Sequence, residues 1–160
     1  MNLIKEPSND SLNIGFAGSH TLSWFCLKAI AELCKENGDQ LKIVYNVIPE
    51  IGKKYSAYQE FDKLQREYKF DHKKVTDIDC EKSIETLKKF ELDILFIIGW
   101  HKIVSQEVIN TAKYCIGMHT SLLPKDRGSA PVNWQIIRQE EKGGITLFHL
   151  TSGVDTGDLV

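Results

Sequence analysis

The chain has 160 residues, of which 42% are hydrophobic and 26% are charged, and its formal net charge is -2 at pH 7. This balance is ordinary for a globular protein, and the length suits one domain with its own core. The 20 basic residues are matched by 22 acidic ones, so the sequence lacks the basic excess that neutralises nucleic-acid phosphates. We therefore expect small-molecule partners rather than nucleic acid.

The N-terminal segment MNLIKEPSNDS is polar and offers no apolar run for a signal peptide. No later segment approaches the ~18 apolar residues of a membrane span. We expect a flexible tail over residues 1–11, one domain over residues 12–160, a cytoplasmic location and no membrane partner. The cysteines lack CxxC spacing, which favours reduced thiols over a disulfide framework or a zinc site. They are Cys26, Cys34, Cys80 and Cys115.

The N-terminal part begins with a strand–helix–strand pattern. The segment LNIGFAG, residues 12–18, predicts a short strand, and LKIVYNVI, residues 41–48, predicts a second one. A helix is expected between them, from about Thr21 to a stop at Gly38. Its apolar face is predicted to contain Leu22, Phe25, Cys26, Ala29, Ile30 and Leu33.

The remainder of the chain alternates helices and strands. The predicted helices are one around Tyr58, Phe61, Leu64 and Tyr68, CEKSIETLKKF (80–90), SQEVINTA (105–112) and one from Pro131 to Gly143 capped by Ser129. The predicted strands are HKKVTDI (72–78) at an edge, LDILFIIGW (92–100) at the centre, YCIGMH (114–119) and GITLFHL (144–150). This order predicts an α/β fold, a Rossmann-like open, mostly parallel sheet with helices on both faces.

Ligands of such sheets bind beyond the carboxyl ends of the strands. Trp100 and His119 both follow predicted strands. The loop after the first strand, GFAGSHT, contains neither a GxGxxG pattern nor a Walker lysine, so the fingerprints of dinucleotide and triphosphate sites are absent there. The later strand ends are therefore the better candidates for a site.

The stretch GMHTSLLPKDRGSAP, residues 117–131, holds a histidine in a loop restrained by two prolines. After the next strand, TSGVDTGDLV supplies Asp155 and Asp158. An imidazole and a carboxylate that reach one crevice can perform general acid–base chemistry near neutral pH. Spacing alone does not choose between the two aspartates.

Two segments resemble the folate-dependent formyltransferases, HTSLLPKDRGSAPVNWQI and GGITLFHLTSGVDTGDLV. That family moves a formyl group from 10-formyltetrahydrofolate to an amine. The resemblance is weak from residue 12 and strong from residue 92, and its HxSLLPxxRGxxP pattern is highly specific. SLLPKDRGSAPVNW is most similar to the branch acting on nucleotide-linked amino sugars, while Leu122 and the pair Arg127-Gly128 argue against the branch that hydrolyses formyltetrahydrofolate. The resemblance implies the family's catalytic-domain fold, with 10-formyltetrahydrofolate as formyl donor and no metal.

By this resemblance, His119 corresponds to the family's catalytic histidine and Asp155 to its essential aspartate. The family's catalytic asparagine falls at Gly117, so another group would have to supply its oxyanion donor. Asn133 is one candidate, although a role in starting a helix is favoured for it.

The resemblance also implies contacts for the ligands. The residues expected to hold the pterin ring are Trp100, His101, Lys102, Val104, Thr151, Ser152, Gly153 and Val154. For His101 and Lys102, a solvent-facing loop position is an equal alternative. Arg127 is expected to contact an acceptor phosphate or to anchor the loop, and Ser121 to hold the loop or the acceptor.

The sequence therefore predicts formyl transfer from 10-formyltetrahydrofolate to the amine of a nucleotide-linked amino sugar. Methionyl-tRNA formylation is one alternative. A non-catalytic remnant that binds folate or nucleotide is another, favoured by Gly117 and by the end of the sequence at Val160. The domain is expected to stop before the family's last strand, helix and C-terminal domain. A homodimer is possible, but no feature of this stretch supports it.

Overall fold

The computed structural model describes residues 11–160, which form one six-stranded sheet with flanking helices. The strands are β1 (Asn13–Ala17), β2 (Gln40–Val47), β3 (Asp71–Val75), β4 (Leu92–Ile97), β5 (Ala112–His119) and β6 (Thr146–His149). The helices are α1 (Thr21–Asn37), α2 (Pro49–Gly52), α3 (Asp62–Tyr68), α4 (Glu81–Lys89), α5 (Gln106–Ile109) and α6 (Pro131–Ile137). Apart from Ser11, the tail predicted for residues 1–11 lies outside the described residues.

The strand order across the sheet is β3-β2-β1-β4-β5-β6. Strands β1 to β5 pair in parallel, and β6 is antiparallel to β5. The predicted open, mostly parallel α/β sheet is thus confirmed, with β3 at an edge and β4 in the interior. The order of the strands reverses between β1 and β4, and such reversals leave a crevice at the carboxyl ends of the strands where ligands bind.

Two apolar cores cover opposite faces of the sheet. In β1, Phe16 and Ala17 belong to different cores, because successive side chains of a strand point to opposite faces. Leu27 of α1 and Leu64 of α3 pack on the side of Phe16, whereas Leu87 of α4 packs on the side of Ala17. The helices therefore flank both faces, as the sequence predicts.

The buried face of α1 differs from the predicted one. The helix begins at Thr21 as expected, and Gly38 ends it with φ of +80°, the left-handed conformation that glycine adopts freely. Phe25 and Leu33, however, are 60% and 54% exposed. The buried residues are Ser23, Leu27, Ala31 and Cys34. The Ser23 hydroxyl donates to the carbonyl of Ile98 at 2.6 Å, which turns this stripe of the helix toward the sheet.

Two helices are shorter than predicted. The helix expected around Tyr58 begins only at Asp62, because the Tyr58 hydroxyl donates to the carbonyl of Val47 at 2.8 Å and holds that segment against β2.

Helix α6 ends at Ile137 rather than near Gly143. The Arg138 guanidinium, at the end of the helix, donates to Glu140 at 2.8 Å, and Gln139 takes φ of +54°. Ala130, not Ser129, occupies the N-cap position, and its side chain makes no capping bond.

The cysteines are all free thiols, with Cys34 and Cys115 buried and Cys80 exposed. Within residues 11–160, no cluster of three or more histidine, cysteine or acidic side chains is arranged to hold a metal ion. None of the helices in that range is both long and apolar enough to cross a bilayer.

Candidate active site

A cavity of about 420 Å³ lies between the carboxyl ends of β4 and β5 and the segment that follows β6. Its apolar lining includes Ile97, Val104, Phe148 and Leu150. Its lining also contains these residues of the predicted site: Trp100, His101, Lys102, Val104, His119, Thr151, Gly153, Val154 and Asp155. The tertiary structure thus gathers most of the predicted residues around one cavity.

His119, the last residue of β5, is fixed by a main-chain contact. Its Nε2 atom lies 2.7 Å from the carbonyl oxygen of Asp126. A carbonyl oxygen can only accept, so Nε2 carries the proton and Nδ1 of the neutral ring is an acceptor. The side chain is only 11% exposed, and the loop therefore fixes both its position and its tautomer.

Asp155 approaches His119 from the segment after β6. Its Oδ2 atom lies 3.6 Å from Nδ1 of His119 and accepts the amide proton of Gly128 at 2.8 Å. Nδ1 of the neutral imidazole and the carboxylate oxygen are both acceptors, and 3.6 Å exceeds the length of a hydrogen bond. The pair is thus arranged to take up a proton from a donor that enters the cavity.

The competing carboxylate takes no part in this arrangement. Asp158 is exposed, and its main-chain carbonyl accepts the amide proton of His149 at 2.8 Å. Asp155 lines the cavity and Asp158 does not. Of the two aspartates that spacing left open, Asp155 is therefore the one that lies beside His119 at the cavity.

The position of the family's asparagine is filled by apolar side chains. A Cβ atom on Gly117 would lie 2.7 Å from Cδ2 of Leu150 and 3.2 Å from Cε1 of Phe148. Asn133, the suggested substitute, is exposed on α6 and does not line the cavity. The structure therefore gives no support to Asn133 as the missing donor.

Ser121, predicted to hold either the loop or the acceptor, is enclosed by its own loop. Ser121 is fully buried, its hydroxyl donates to the carbonyl of Lys125 at 2.7 Å, and its own carbonyl accepts from the Thr146 hydroxyl at 2.7 Å. These bonds favour the alternative in which Ser121 holds the loop. Ser152, predicted to contact the pterin, is exposed and lies outside the cavity lining, because the turn brings its neighbours Thr151 and Gly153 to the wall instead.

Arg127 is exposed beside Gly128, and no ion pair within residues 11–160 involves its guanidinium. Lys102 is also exposed, but its ammonium forms an ion pair with Asp77 at 2.5 Å. Lys102 therefore contributes its main chain and stem to the cavity wall more than its charge.

His101 is half-buried, so the fully solvent-facing alternative does not hold for it. Burial lowers the pKa of its imidazole, and the neighbouring Lys102 lowers that pKa further. Neither ring nitrogen of His101 has a hydrogen-bond partner among residues 11–160, and the same holds for Nε1 of Trp100. Buried polar atoms usually have partners in native proteins, so these atoms need an explanation.

Sequence reasoning missed two groups that build the site. The carbonyl of Asp126 fixes His119, and the amide of Gly128 fixes Asp155. Both act through main-chain atoms, so the residue type gives no direct signal. The one available hint was the Arg127-Gly128 pair, because glycine tolerates the φ of +92° found at Gly128.

Known proteins resemble this chain in sequence over much of its length. The sequence model of the formyl transferase family matches residues 12–160. A methionyl-tRNA formyltransferase of Clostridium botulinum is 36% identical over 129 residues, which is 79% of this chain and 37% of that protein. One of Agathobacter rectalis is 42% identical over 79 residues, or 49% of this chain and 26% of that protein. The chain thus spans about a quarter to somewhat over a third of the length of these curated relatives.

Solved structures share the fold at low sequence identity. Glycinamide ribonucleotide transformylase 1 of Symbiobacterium toebii has a TM-score of 0.74 at 20% identity, covering 100% of this chain and 74% of that one. A sugar N-formyltransferase from a Shewanella species has a TM-score of 0.65 at 16% identity, covering 93% of this chain and 55% of that one. At such identities the likeness establishes the fold alone.

Proposed function

This chain belongs to the formyl transferase family, and on that premise we propose that it transfers a formyl group from 10-formyltetrahydrofolate to a primary amine. The observation that carries the proposal is the pair formed by His119 and Asp155, 3.6 Å apart at the wall of the 420 Å³ cavity. A half-buried imidazole and carboxylate beside a cavity are the groups that proton transfer from an amine requires.

The cavity suits the pterin end of a reduced folate. Its apolar wall, with Val104 and Phe148, can cover the faces of a flat ring, while the main chain beside Trp100 and Gly153 offers donors and acceptors to the ring edge. We propose that the segments 100–104 and 151–154 hold the folate, with Ser152 outside the contact. When bound, 10-formyltetrahydrofolate supplies the formyl group.

The chain's own residues handle the proton and the developing charge. Nδ1 of His119 accepts a proton from the attacking amine, because Nε2 already donates to the Asp126 carbonyl. The resulting imidazolium is stabilised by the Asp155 carboxylate, which the Gly128 amide holds in place. The imidazolium would then return this proton to the folate nitrogen as its bond to the formyl carbon breaks, so that the products are the formylated amine and tetrahydrofolate. General acid–base catalysis of this kind contributes roughly 10²–10⁴-fold to a rate.

A nucleotide-linked amino sugar is the acceptor that we propose first. The net charge of -2 gives little attraction for a polynucleotide. Ion pairs with nearby carboxylates neutralise Lys102, Lys125 and Arg138. Arg127, exposed next to Gly128 of the cavity lining, remains available for one phosphate group, which a sugar nucleotide would satisfy.

Methionyl-tRNA is the second candidate acceptor. The observation that favours it is the 36% identity to the Clostridium botulinum methionyl-tRNA formyltransferase across 79% of this chain. A third reading, a non-catalytic folate-binding remnant, is supported by Gly117 at the asparagine position.

The experiment is a formyl-transfer assay with both acceptor classes. The protein is mixed with 10-formyltetrahydrofolate and either a panel of nucleotide-linked amino sugars or methionyl-tRNA, and the formylated product is identified by mass spectrometry. Folate binding is measured separately by calorimetry with 5-formyltetrahydrofolate. We expect saturable folate binding and formylation of a sugar nucleotide. Folate binding without any transfer would favour the remnant, and a folded protein that does not bind folate would remove the whole proposal.

A further inference from the structure

The loop between β5 and α6 takes a backbone conformation that most residues avoid. Along it, Asp126, Gly128 and Ala130 have φ of +56°, +92° and +54°, in the left-handed region that residues other than glycine seldom enter. Such conformations persist only where surrounding contacts hold them. The carbonyl that accepts the Nε2 proton of His119 is that of Asp126, so the contacts that hold Asp126 also set the position of the imidazole.

Arg138, the residue directly after α6, holds the side chain of Asp126. Its Nη2 atom lies 2.5 Å from Oδ1 of Asp126, and its Nε atom lies 2.8 Å from Oε1 of Glu140. The other carboxylate oxygen of Glu140 accepts from the Lys125 ammonium at 2.7 Å. Although Arg138 is 43% exposed, the side chains of Asp126 and Glu140 are only 12% and 17% exposed. These linked, partly buried pairs are therefore held more firmly than one isolated surface ion pair.

Helix α6 and the residue after it brace the loop at two points, one on each side of the imidazole. The side-chain amide of Gln135 donates to the carbonyl of Thr120 at 3.1 Å, and Thr120 directly follows His119. Arg138 provides the second tie, at Asp126. The backbone before and after the bend that encloses the His119 ring is thus fastened to the same short helical segment.

Arg138 does not touch the cavity itself. Its side chain is exposed, and it is not among the residues that line the folate cavity. Its connection to His119 passes through Asp126, whose carboxylate binds the guanidinium and whose carbonyl binds the imidazole. A guanidinium presents its donors in a rigid plane, so one that binds both Asp126 and Glu140 restricts how far Asp126 can rotate.

We propose that Arg138 is a positioning residue, which orients the His119 imidazole by holding Asp126 in its left-handed conformation. The proposal rests on the formyl transfer proposed above, in which Nδ1 of His119 takes a proton from the amine. Without Arg138, the Asp126 carbonyl is free to turn away, and the neutral ring can then carry its proton on either nitrogen. Only the tautomer with the proton on Nε2 offers Nδ1 as an acceptor to the amine.

The first test compares two exposed arginines. Arg138→Gln deletes the charge and the fork of donors, and we expect it to lower kcat by roughly threefold to tenfold. This loss exceeds what one isolated surface ion pair supplies and is smaller than the ~10²-fold cost of a full 1 Å misplacement. KM for folate and acceptor should stay within about twofold, because Arg138 lies outside the cavity lining. Arg66→Gln, exposed on α3, is the matched control and should change neither constant.

Two further variants identify the path of the effect. Arg138→Lys should recover part of the rate, because an ammonium can still bind one carboxylate. Asp126→Asn keeps the main-chain carbonyl but weakens the bond to Arg138, so in that background Arg138→Gln should cost less than about twofold in kcat. An equal loss in both backgrounds, or a raised KM with unchanged kcat, would overturn the proposal.

NMR of the histidine rings separates this proposal from a failure of the proposed function. Long-range proton–nitrogen correlation spectra show which ring nitrogen carries the proton without any catalysis, and His119→Ala identifies the His119 signals among those of the five histidines. We expect the Nε2-protonated tautomer in the wild type and in Arg66→Gln, and a mixture of tautomers in Arg138→Gln. That result would support the positioning role even in a preparation that transfers no formyl group. An unchanged tautomer in folded Arg138→Gln would refute it.

Discussion

Nδ1 of His119 and Oδ2 of Asp155 lie 3.6 Å apart although 36 positions of sequence separate the two residues. Each partner is held by a different main-chain group, the Asp126 carbonyl for His119 and the Gly128 amide for Asp155. The loop between β5 and α6 therefore sets the geometry of both side chains, and the pair should respond to substitution as one unit.

The first prediction concerns that pair. His119→Ala and Asp155→Ala should each lower the rate of formyl transfer by roughly 10²–10⁴-fold, and the double variant should lose little more, because both residues serve one proton transfer. Asp158→Asn is the matched control, since Asp158 bonds through its main-chain carbonyl. Steady-state rates at saturating folate provide the measurement. Independent, multiplying losses, or a sensitive Asp158, would contradict the assignment.

The second prediction concerns Gly117 and Leu150. Gly117→Asn alone should destabilise the protein by about 1–3 kcal/mol, the usual cost of overpacking a core, because its Cβ would lie 2.7 Å from Leu150 Cδ2. Leu150→Ala should relieve the clash, so Gly117→Asn should cost much less stability in the Leu150→Ala background than in the wild type. Urea unfolding of the two single variants and the double variant measures this coupling. A single Gly117→Asn variant as stable as the wild type would show that Leu150 yields without cost.

If the double variant folds, it also tests the missing oxyanion donor. An asparagine amide at position 117 should then raise the transfer rate relative to Leu150→Ala alone, with a gain bounded by the ~2.7–4 kcal/mol that such donors supply. An unchanged rate would mean that another group already donates to the oxygen.

The third prediction is a pH dependence of stability caused by His72 in β3. Its Nε2 atom is buried without a partner in residues 11–160, and burial lowers the pKa of its imidazole. At pH values between that lowered pKa and the unfolded value of about 6.5, the unfolded state binds more protons than the folded state does. The free energy of unfolding should therefore rise with pH through this window and fall on acidification below about 6.5.

His72→Phe should reduce that slope, because phenylalanine has no titratable group. The new ring should fit, since Phe61 and Phe70 already surround the imidazole. Some slope should remain, since burial also lowers the pKa of His101. Urea unfolding at a series of pH values measures the effect, with His101→Phe as the parallel variant. Identical slopes for the wild type and His72→Phe would refute the explanation.

The fourth prediction ranks the cysteines by reactivity. Burial raises the pKa of Cys115 to about 12 and that of Cys34 to about 11, whereas Cys80 is exposed. The thiolate is the reactive form, so iodoacetamide should modify Cys80 first and leave Cys115 intact until the protein unfolds. Peptide mass spectrometry after timed alkylation measures the order, and urea-unfolded protein is the control in which all four react. Early modification of Cys115 would indicate that the β5 core opens readily.

The fifth prediction separates loop support from acceptor contact at Ser121. Ser121→Ala removes the hydroxyl that donates to the Lys125 carbonyl and should lower stability by about 1 kcal/mol. The acceptor KM should not change, because the side chain is fully buried. Ser152→Ala, at an exposed position outside the cavity, is the control for both measurements. A raised KM with unchanged stability would restore the contact role.

The sequence by itself determined the class of sheet, the central strand and the position of His119. β-branched and apolar runs such as LDILFIIGW predict a strand buried on both faces, and β4 is that strand. The motif around His119 lies in one continuous stretch, so spacing and residue type were enough to find it. Such features depend on local periodicity and on neighbours in the chain, which a single sequence contains.

Only the tertiary structure decided which side chains meet. The choice of Asp155 over Asp158 depends on a φ of +50° at Asp155 and on the amide of Gly128. The inward stripe of α1 depends on the bond from Ser23 to Ile98 across 75 positions, and the filled space at Gly117 depends on Leu150. Each of these is a contact between segments distant in sequence, and side-chain packing in three dimensions, rather than local pattern, fixes which atoms occupy a shared space.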